Sequence, residues 1–170
     1  MKAWHWAVLL FAALVLQSTV LTRLRLLGAQ PDLILLFTVS WSLLRGWRGA
    51  ALGLAGGLLL DMARGEFIGA LAFPYFVVGL LVAAAERHLF KENPWLPILG
   101  AVAGTFVVQG LFWVLAGSFG YPIPVSAWLA GRLPQDILFN ALMAYPVHYG
   151  ISRLDQRLSR RGWMQPQRTA

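Results

Sequence analysis

Apolar residues fall into six runs along the chain, and short polar or basic stretches separate them. The runs cover residues 4–21, 33–44, 49–60, 67–85, 96–117 and 135–152. They are continuous, whereas the strands of a membrane barrel alternate apolar and polar positions. The pattern therefore predicts an all-α, polytopic membrane helix bundle with about six transmembrane helices.

The second and third runs are short, because a helix needs about 20 residues to cross roughly 30 Å of hydrocarbon. Both could cross if they borrow flanking residues or thin the bilayer, and a re-entrant pair is the alternative. We favour six crossings over four crossings plus a re-entrant hairpin. Both arrangements place the two termini on the same side of the membrane.

Composition supports a membrane protein. The chain is 58% hydrophobic and 12% charged, whereas about 25% of residues are charged in soluble domains. The first apolar run is longer than a signal-peptide core and has no clear cleavage site after it, so we expect an uncleaved first helix. The absence of cysteine excludes a disulfide framework, cysteine-ligated zinc and thiol catalysis.

Positive charge predicts the orientation. The net charge is +7, and the basic residues lie between apolar runs, which indicates membrane loops rather than nucleic-acid binding. With six crossings, ten of the 14 Lys and Arg residues fall on the side of the termini. We therefore expect both termini to be cytoplasmic, with a transmembrane domain over residues 1–152. Residues 153–170 form a basic cytoplasmic tail that anionic lipid would attract.

Gly49, Gly53 and Gly57 recur every four residues in the third run. This spacing places three small residues on one helix face and lets another helix approach closely. Two further pairs, Gly65/Gly69 and Gly100/Gly104, have the same spacing. Some of these faces must close the bundle, and one left over could accept a partner helix.

Asp61 ends the third run, where the helix dipole disfavours an acid. A lone carboxylate in a membrane helix needs a partner or a function. Arg64, three residues later, could neutralise it within the chain. A structural Asp61–Arg64 pair and a partner-binding acid are both open at this point.

Polar residues also occur at the end of the first run and at the start of the second. For Gln17 and Ser18, hydrogen bonding between helices is the favoured interpretation, and a ligand contact is the alternative. Asp32 follows Pro31 directly before an apolar stretch. Proline and an acid at this position are ordinary signals of helix initiation.

Two polar pairs lie in the last two runs, each with one helical turn between its members. They are Thr105/Gln109 and Asp136/Asn140. Each pair can present two polar groups to one interior face. We favour the interpretation that they hold helices together, and a lining for water or a ligand is the alternative. No histidine has a second ligand at helical spacing, so we expect no metal site. The sequence also has no phosphate-cradling motif and no catalytic constellation, so we expect no cofactor and no catalytic residues.

The ordered motifs LQSTVL at 16–21, PDLILL at 31–36 and GLLLD at 57–61, followed by Gly69, resemble the MreD family. MreD proteins are small integral membrane proteins of the bacterial rod-shape system. The residues that match the family pattern by position are Gln17, Ser18, Pro31, Asp32, Gly53, Gly57, Asp61 and Gly69. With Gly49, we expect them to serve helix packing or partner binding.

The resemblance implies a non-enzymatic scaffold of the cell-elongation complex in the bacterial inner membrane. It implies binding to MreC through that protein's membrane helix, and association with MreB, RodA and a class B penicillin-binding protein, in support of cell shape and lateral peptidoglycan synthesis. It also implies a fold similar to the substrate-binding subunits of energy-coupling-factor transporters. A small-molecule-binding subunit of a membrane transporter, with a vitamin-like ligand, is therefore the alternative function.

Overall fold

The apolar runs form helices. A computed structural model of the chain describes residues 4–21, 31–65, 68–86, 95–120 and 132–163. The helices are α1 (Trp4–Val15, continued by a π-helical segment, Leu16–Leu21), α2 (Leu33–Arg45), α3 (Trp47–Arg64), α4 (Ala72–Glu86), α5 (Leu96–Ser118) and α6 (Leu133–Trp163). The predicted all-helical architecture with six helices is confirmed for these ranges. The side chain of Ser18, most of the segment between α5 and α6 and the last residues of the basic tail lie outside the described part.

α2 is the central helix of the bundle. Its residues 34–42 are all buried, and it contacts each of the other five helices. A helix that is largely apolar on all sides belongs in the interior, and α2 also buries three hydroxyl side chains, Thr38, Ser40 and Ser42. Asp32, which directly precedes α2, is partly buried at the start of the helix.

Close contacts along α3 show how it runs against its neighbours. Gly46, with a φ of +64°, is the single residue that separates α2 from α3. The α3–α2 pairs in order are Gly49–Ser42, Gly53–Thr38 and Gly56–Ile34, and the α3–α4 pairs are Ala50–Gly79, Gly53–Tyr75 and Gly57–Ala72. In both sets the residue numbers rise along α3 as they fall along the other helix, so α3 is antiparallel to α2 and α4.

The same argument applies to the remaining helices, which alternate in direction. Gly100 and Gly104 of α5 meet Val39 and Leu35 of α2 in reverse order. The bundle therefore has two ends. The Asp32 end carries the starts of α2, α4 and α6, and the Arg45 end carries the starts of α3 and α5 and the end of α6.

Helix lengths differ widely. Within the described residues, α5 (23 residues) is the helix that is long and apolar enough to cross a membrane, whereas α2 and α4 are shorter apolar helices. α2, with 13 residues, is about 20 Å long. α6 has 31 residues and so extends about 46 Å. It continues past residue 152, where the sequence suggested that the transmembrane domain would end.

Candidate functional site

Asp32 organises a polar network at its end of the bundle. Its side chain caps α2 by accepting a hydrogen bond from the Leu35 N–H at 3.1 Å. The same oxygen accepts from Gln17 Nε2 at 3.3 Å, and the other oxygen accepts from the Tyr75 hydroxyl. Gln17 Oε1 in turn accepts from the Ile34 N–H at 3.1 Å. These bonds join α1, α2 and α4.

Asn140 extends this network into α5 and α6. Its side-chain oxygen accepts from the Asp32 backbone N–H at 2.7 Å, and its Nδ2 donates to Thr105 Oγ1 at 2.9 Å. The Thr105 hydroxyl donates to the Ala101 carbonyl at 2.7 Å. Asn140 and Thr105 are both 1% exposed. In an apolar interior an unsatisfied polar group costs several kcal/mol, so these mutual bonds specify how the helices meet.

Asp136 makes a second contact between α5 and α6, one turn before Asn140. One of its oxygens accepts from Gln109 Nε2 at 2.6 Å and from Arg132 Nε at 3.2 Å. Both predicted polar pairs thus lie on one helix–helix interface, Thr105 opposite Asn140 and Gln109 opposite Asp136. Their polar atoms face one another.

Asp61 binds the connection between α3 and α4. The carboxylate is fully buried and accepts from the backbone N–H groups of Gly69 at 2.9 Å, Leu71 at 3.0 Å and Ala72 at 3.3 Å. In the described part of the chain, the ion pairs are Arg45–Asp155 and Arg132–Asp136. Asp61 is therefore held by backbone amides, and the pairing with Arg64, one of the two alternatives that the sequence left open, is absent there.

Gly69 has a φ of +105°, which glycine adopts far more readily than other residues. This conformation lets its N–H donate to Asp61. The two residues are eight positions apart in the chain, and the structure explains why one motif contains both.

Pro31 lies just before Asp32, which is the N-cap residue, and so is outside α2.

The glycines of α3 pack closely against other helices of the same chain. A Cβ built on Gly53 would lie 2.8 Å from the Tyr75 carbonyl oxygen, and one on Gly57 would lie 2.6 Å from the Ala72 nitrogen. A Cβ on Gly49 would overlap the backbone of Ser42. These faces close the bundle against α2 and α4, so they leave no room for a further helix.

Two contacts do not follow from the sequence pattern. Tyr75 lies within an apolar run, and a buried tyrosine hydroxyl normally has a hydrogen-bond partner, which was the available signal. Arg45 Nη2 binds Asp155 at 2.8 Å and 3.1 Å and Ser159 Oγ at 3.1 Å. Because these partners are 110 and 114 residues away, no local pattern indicates them.

An apolar groove of about 250 Å³ lies on the outer surface between α4 and α5, near the Arg45 end. It is lined by residues such as Leu81, Val82, Leu99, Ala103 and Val107, with Leu43 of α2 below them. Its lining offers almost no polar atoms. The groove therefore offers apolar contact and little hydrogen bonding.

A sequence model of the family described as rod shape-determining protein MreD matches residues 1–151 of the chain. The matched range contains every residue of the polar network, the α3 glycines and Asp61. Comparison with curated proteins and with solved structures finds no match.

Proposed function

The chain belongs to the MreD family of rod shape-determining proteins, and we propose that it is a non-enzymatic membrane scaffold of the cell-elongation complex. The observation that carries this proposal is the family match, which extends over residues 1–151. In this proposal the chain binds MreC through that protein's membrane helix. It thereby supports lateral peptidoglycan synthesis by the complex that also contains MreB, RodA and a class B penicillin-binding protein.

The interior supports a scaffold over a transporter subunit. A substrate site near the membrane midplane needs convergent polar groups that are available to the substrate. Here Thr105 bonds Asn140, and Gln109 bonds Asp136. The carboxylate of Asp32 is engaged by α1, α2 and α4. The polar groups are used to fix helices against one another, which suits a protein that presents a defined surface.

We propose a multi-pass location in the inner membrane with both termini cytoplasmic. The Arg45 end carries Arg45, Arg48, Arg153 and Arg157, whereas the described basic residues at the Asp32 end are Arg64 and Arg132. The end richer in arginine belongs on the cytoplasmic side by the positive-inside rule. Both the start of α1 and the end of α6 lie at that end.

A partner helix would have to pack on the outer surface of the bundle, because the α3 glycines are enclosed. Pull-down of the tagged chain from its own cells in mild detergent, followed by mass spectrometry, tests the proposal. We expect MreC and the elongation synthases to be recovered. Recovery of transporter ATPases and a coupling subunit in their place would contradict it.

The contact face can be located in the same experiment with exposed leucines on two sides of the bundle. Leu99 lies in the groove between α4 and α5, and Leu142 lies on the outer face of α6. Leu99→Trp and Leu142→Trp add bulk where the chain itself makes few contacts, so both variants should fold. Loss of MreC with one variant and not the other identifies the face. A Gly53→Leu or Gly57→Leu variant would disturb the bundle itself and could not separate the two effects.

A further inference from the structure

Three exposed arginines lie at the Arg45 end of the bundle. Arg48 lies in the first turn of α3, and Arg153 and Arg157 lie one turn apart on α6. Residues four apart on a helix share a face. The guanidinium carbon of Arg153 lies over the Tyr149 ring, 4.9 Å from its centroid. We call these three arginines the basic rim.

Exposed aromatic side chains at the same end indicate where the membrane surface lies. Trp47 is 64% exposed, Trp95 is 65% exposed and Tyr149 is 48% exposed. Tryptophan and tyrosine prefer the headgroup region of a bilayer, because one part of the ring is apolar and another can hydrogen-bond. Arg48 follows Trp47 directly, and Arg153 stacks on Tyr149. With these aromatic side chains in the headgroup region, the rim arginines would lie at the depth of lipid phosphates.

The described acidic residues at this end do not neutralise the three rim arginines. The described acidic residues there are Glu86 and Asp155, and Asp155 is bound by Arg45. Within the described residues, none of the three rim arginines forms an ion pair. The opposite end differs, because Asp32, Asp61 and Asp136 lie there with Arg64 and Arg132.

We propose that the basic rim, formed by Arg48, Arg153 and Arg157, binds the phosphate head groups of anionic phospholipids. Guanidinium groups bind phosphate oxygens in a bidentate manner, and they hydrate more weakly than lysine. Because the partner is a lipid, its acyl chains would lie along the apolar sides of α3 and α6. The inference rests on the membrane location in the proposed function and is independent of MreC.

The test uses the full chain in phosphatidylcholine nanodiscs, with and without phosphatidylglycerol of the same acyl chains. Lipids retained after release from the disc are counted by native mass spectrometry. We expect preferential retention of phosphatidylglycerol, and a weaker preference at high salt. Arg153→Gln/Arg157→Gln should lower the apparent preference roughly 25-fold, at about fivefold per arginine.

The matched control is Arg64→Gln, which removes one exposed arginine from the other end of the bundle and should leave retention unchanged. Equal thermal midpoints in pure phosphatidylcholine verify that the variants fold, and Arg48→Gln provides a second rim variant that leaves α6 intact. Equal retention of both lipids, or full preference in all rim variants, would overturn the proposal. So would displacement of the lipid by an equal concentration of inorganic phosphate, since that would indicate a site for the free ion.

Because MreC recovery is measured separately, the two proposals can fail independently. If the chain retains phosphatidylglycerol but recovers no MreC, lipid binding by the basic rim is supported and the scaffold function is contradicted. If it recovers MreC but shows no lipid preference, the scaffold function is supported and lipid binding by the rim is contradicted.

Discussion

At the scale of single residues, the α3 glycines are required because helix backbones approach too closely for a Cβ. A Cβ on Gly57 would lie 2.6 Å from the Ala72 nitrogen and 2.9 Å from the Leu71 carbonyl carbon. Neither backbone atom can move without shifting α4. We predict that Gly57→Ala lowers the free energy of unfolding by about 1–3 kcal/mol, measured by thermal or denaturant unfolding in detergent.

Gly110 is the matched control for this prediction, because it also lies within a helix but nothing would come within 4 Å of its Cβ. Gly110→Ala should leave stability unchanged or raise it by up to about 1 kcal/mol through helix propensity. Equal destabilisation by the two substitutions would show that close packing at Gly57 is not the cause.

Asp61 gives a second prediction at this scale. Asp61→Asn replaces one acceptor oxygen by an amide that faces backbone N–H donors from the α3–α4 connection, two of which bind Oδ2. A buried donor without an acceptor costs about 1–3 kcal/mol, and we expect a loss of that size in the same unfolding assay. Arg64→Gln should change stability by less than about 0.5 kcal/mol. A comparable loss in both variants would restore the Asp61–Arg64 pair as the stabilising contact.

The sequence indicated which residues matter at this scale, but only the fold shows what each contacts. The sequence pattern alone shows four polar residues in apolar surroundings: Gln17, Asp32, Asp61 and Asn140. Their partners do not follow from spacing, because Asn140 binds a backbone N–H 108 residues away. The backbone conformation at Gly69 decides whether Asp61 contacts Leu71, Ala72 or Arg64, and the sequence does not show that conformation.

At the scale of helices, the Arg45–Asp155 contact joins the end of α6 to the end of α2. Arg45 Nη2 reaches both carboxylate oxygens and Ser159, and the Asp155 side chain is 14% exposed. We predict a coupling energy of about 0.5–2 kcal/mol in a double-mutant cycle of Arg45→Gln and Asp155→Asn. Hydrogen exchange should increase over the last turns of α6 in either single variant.

The matched cycle pairs Arg64→Gln with Asp155→Asn, whose side chains lie at opposite ends of the bundle. Their effects should add within about 0.5 kcal/mol. Additive effects in the Arg45–Asp155 cycle as well would mean that α6 is held at this end by its apolar contacts alone, such as Ile151 with Trp41.

Apolar runs predicted the existence of each helix in the described ranges but not all of the helix bounds. α5 coincides closely with its run because it is apolar throughout. The last apolar run ends at residue 152, whereas α6 continues to Trp163. The added turns are basic, so an apolar pattern does not mark them as helix. The fourth run began at 67, whereas α4 begins at Ala72, since Gly69 with its positive φ belongs to the connection bound by Asp61.

At the scale of the whole molecule, the crossing of α2 and α3 decides between the two predicted topologies. α2 is about 20 Å long, shorter than the roughly 30 Å of hydrocarbon. The turn after it, however, carries Arg45, Arg48 and the exposed Trp47, and arginine at mid-membrane is costly. Long arginine side chains can reach the interface from a short helix. We therefore expect six crossings with a locally thinned bilayer rather than a re-entrant hairpin.

Because the chain contains no cysteine, single cysteines can test this topology without background labelling. Ile68 is 74% exposed in the α3–α4 connection at the Asp32 end, and Trp47 is 64% exposed at the Arg45 end. We predict that a membrane-impermeant maleimide labels Ile68→Cys in spheroplasts with intact inner membranes, and labels Trp47→Cys only after permeabilisation. Reversed labelling would contradict cytoplasmic termini. Protection of Trp47→Cys under both conditions, with Ile68→Cys still labelled from outside, would show that α2 and α3 enter and leave on one side, since the turn between them would then lie within the hydrocarbon.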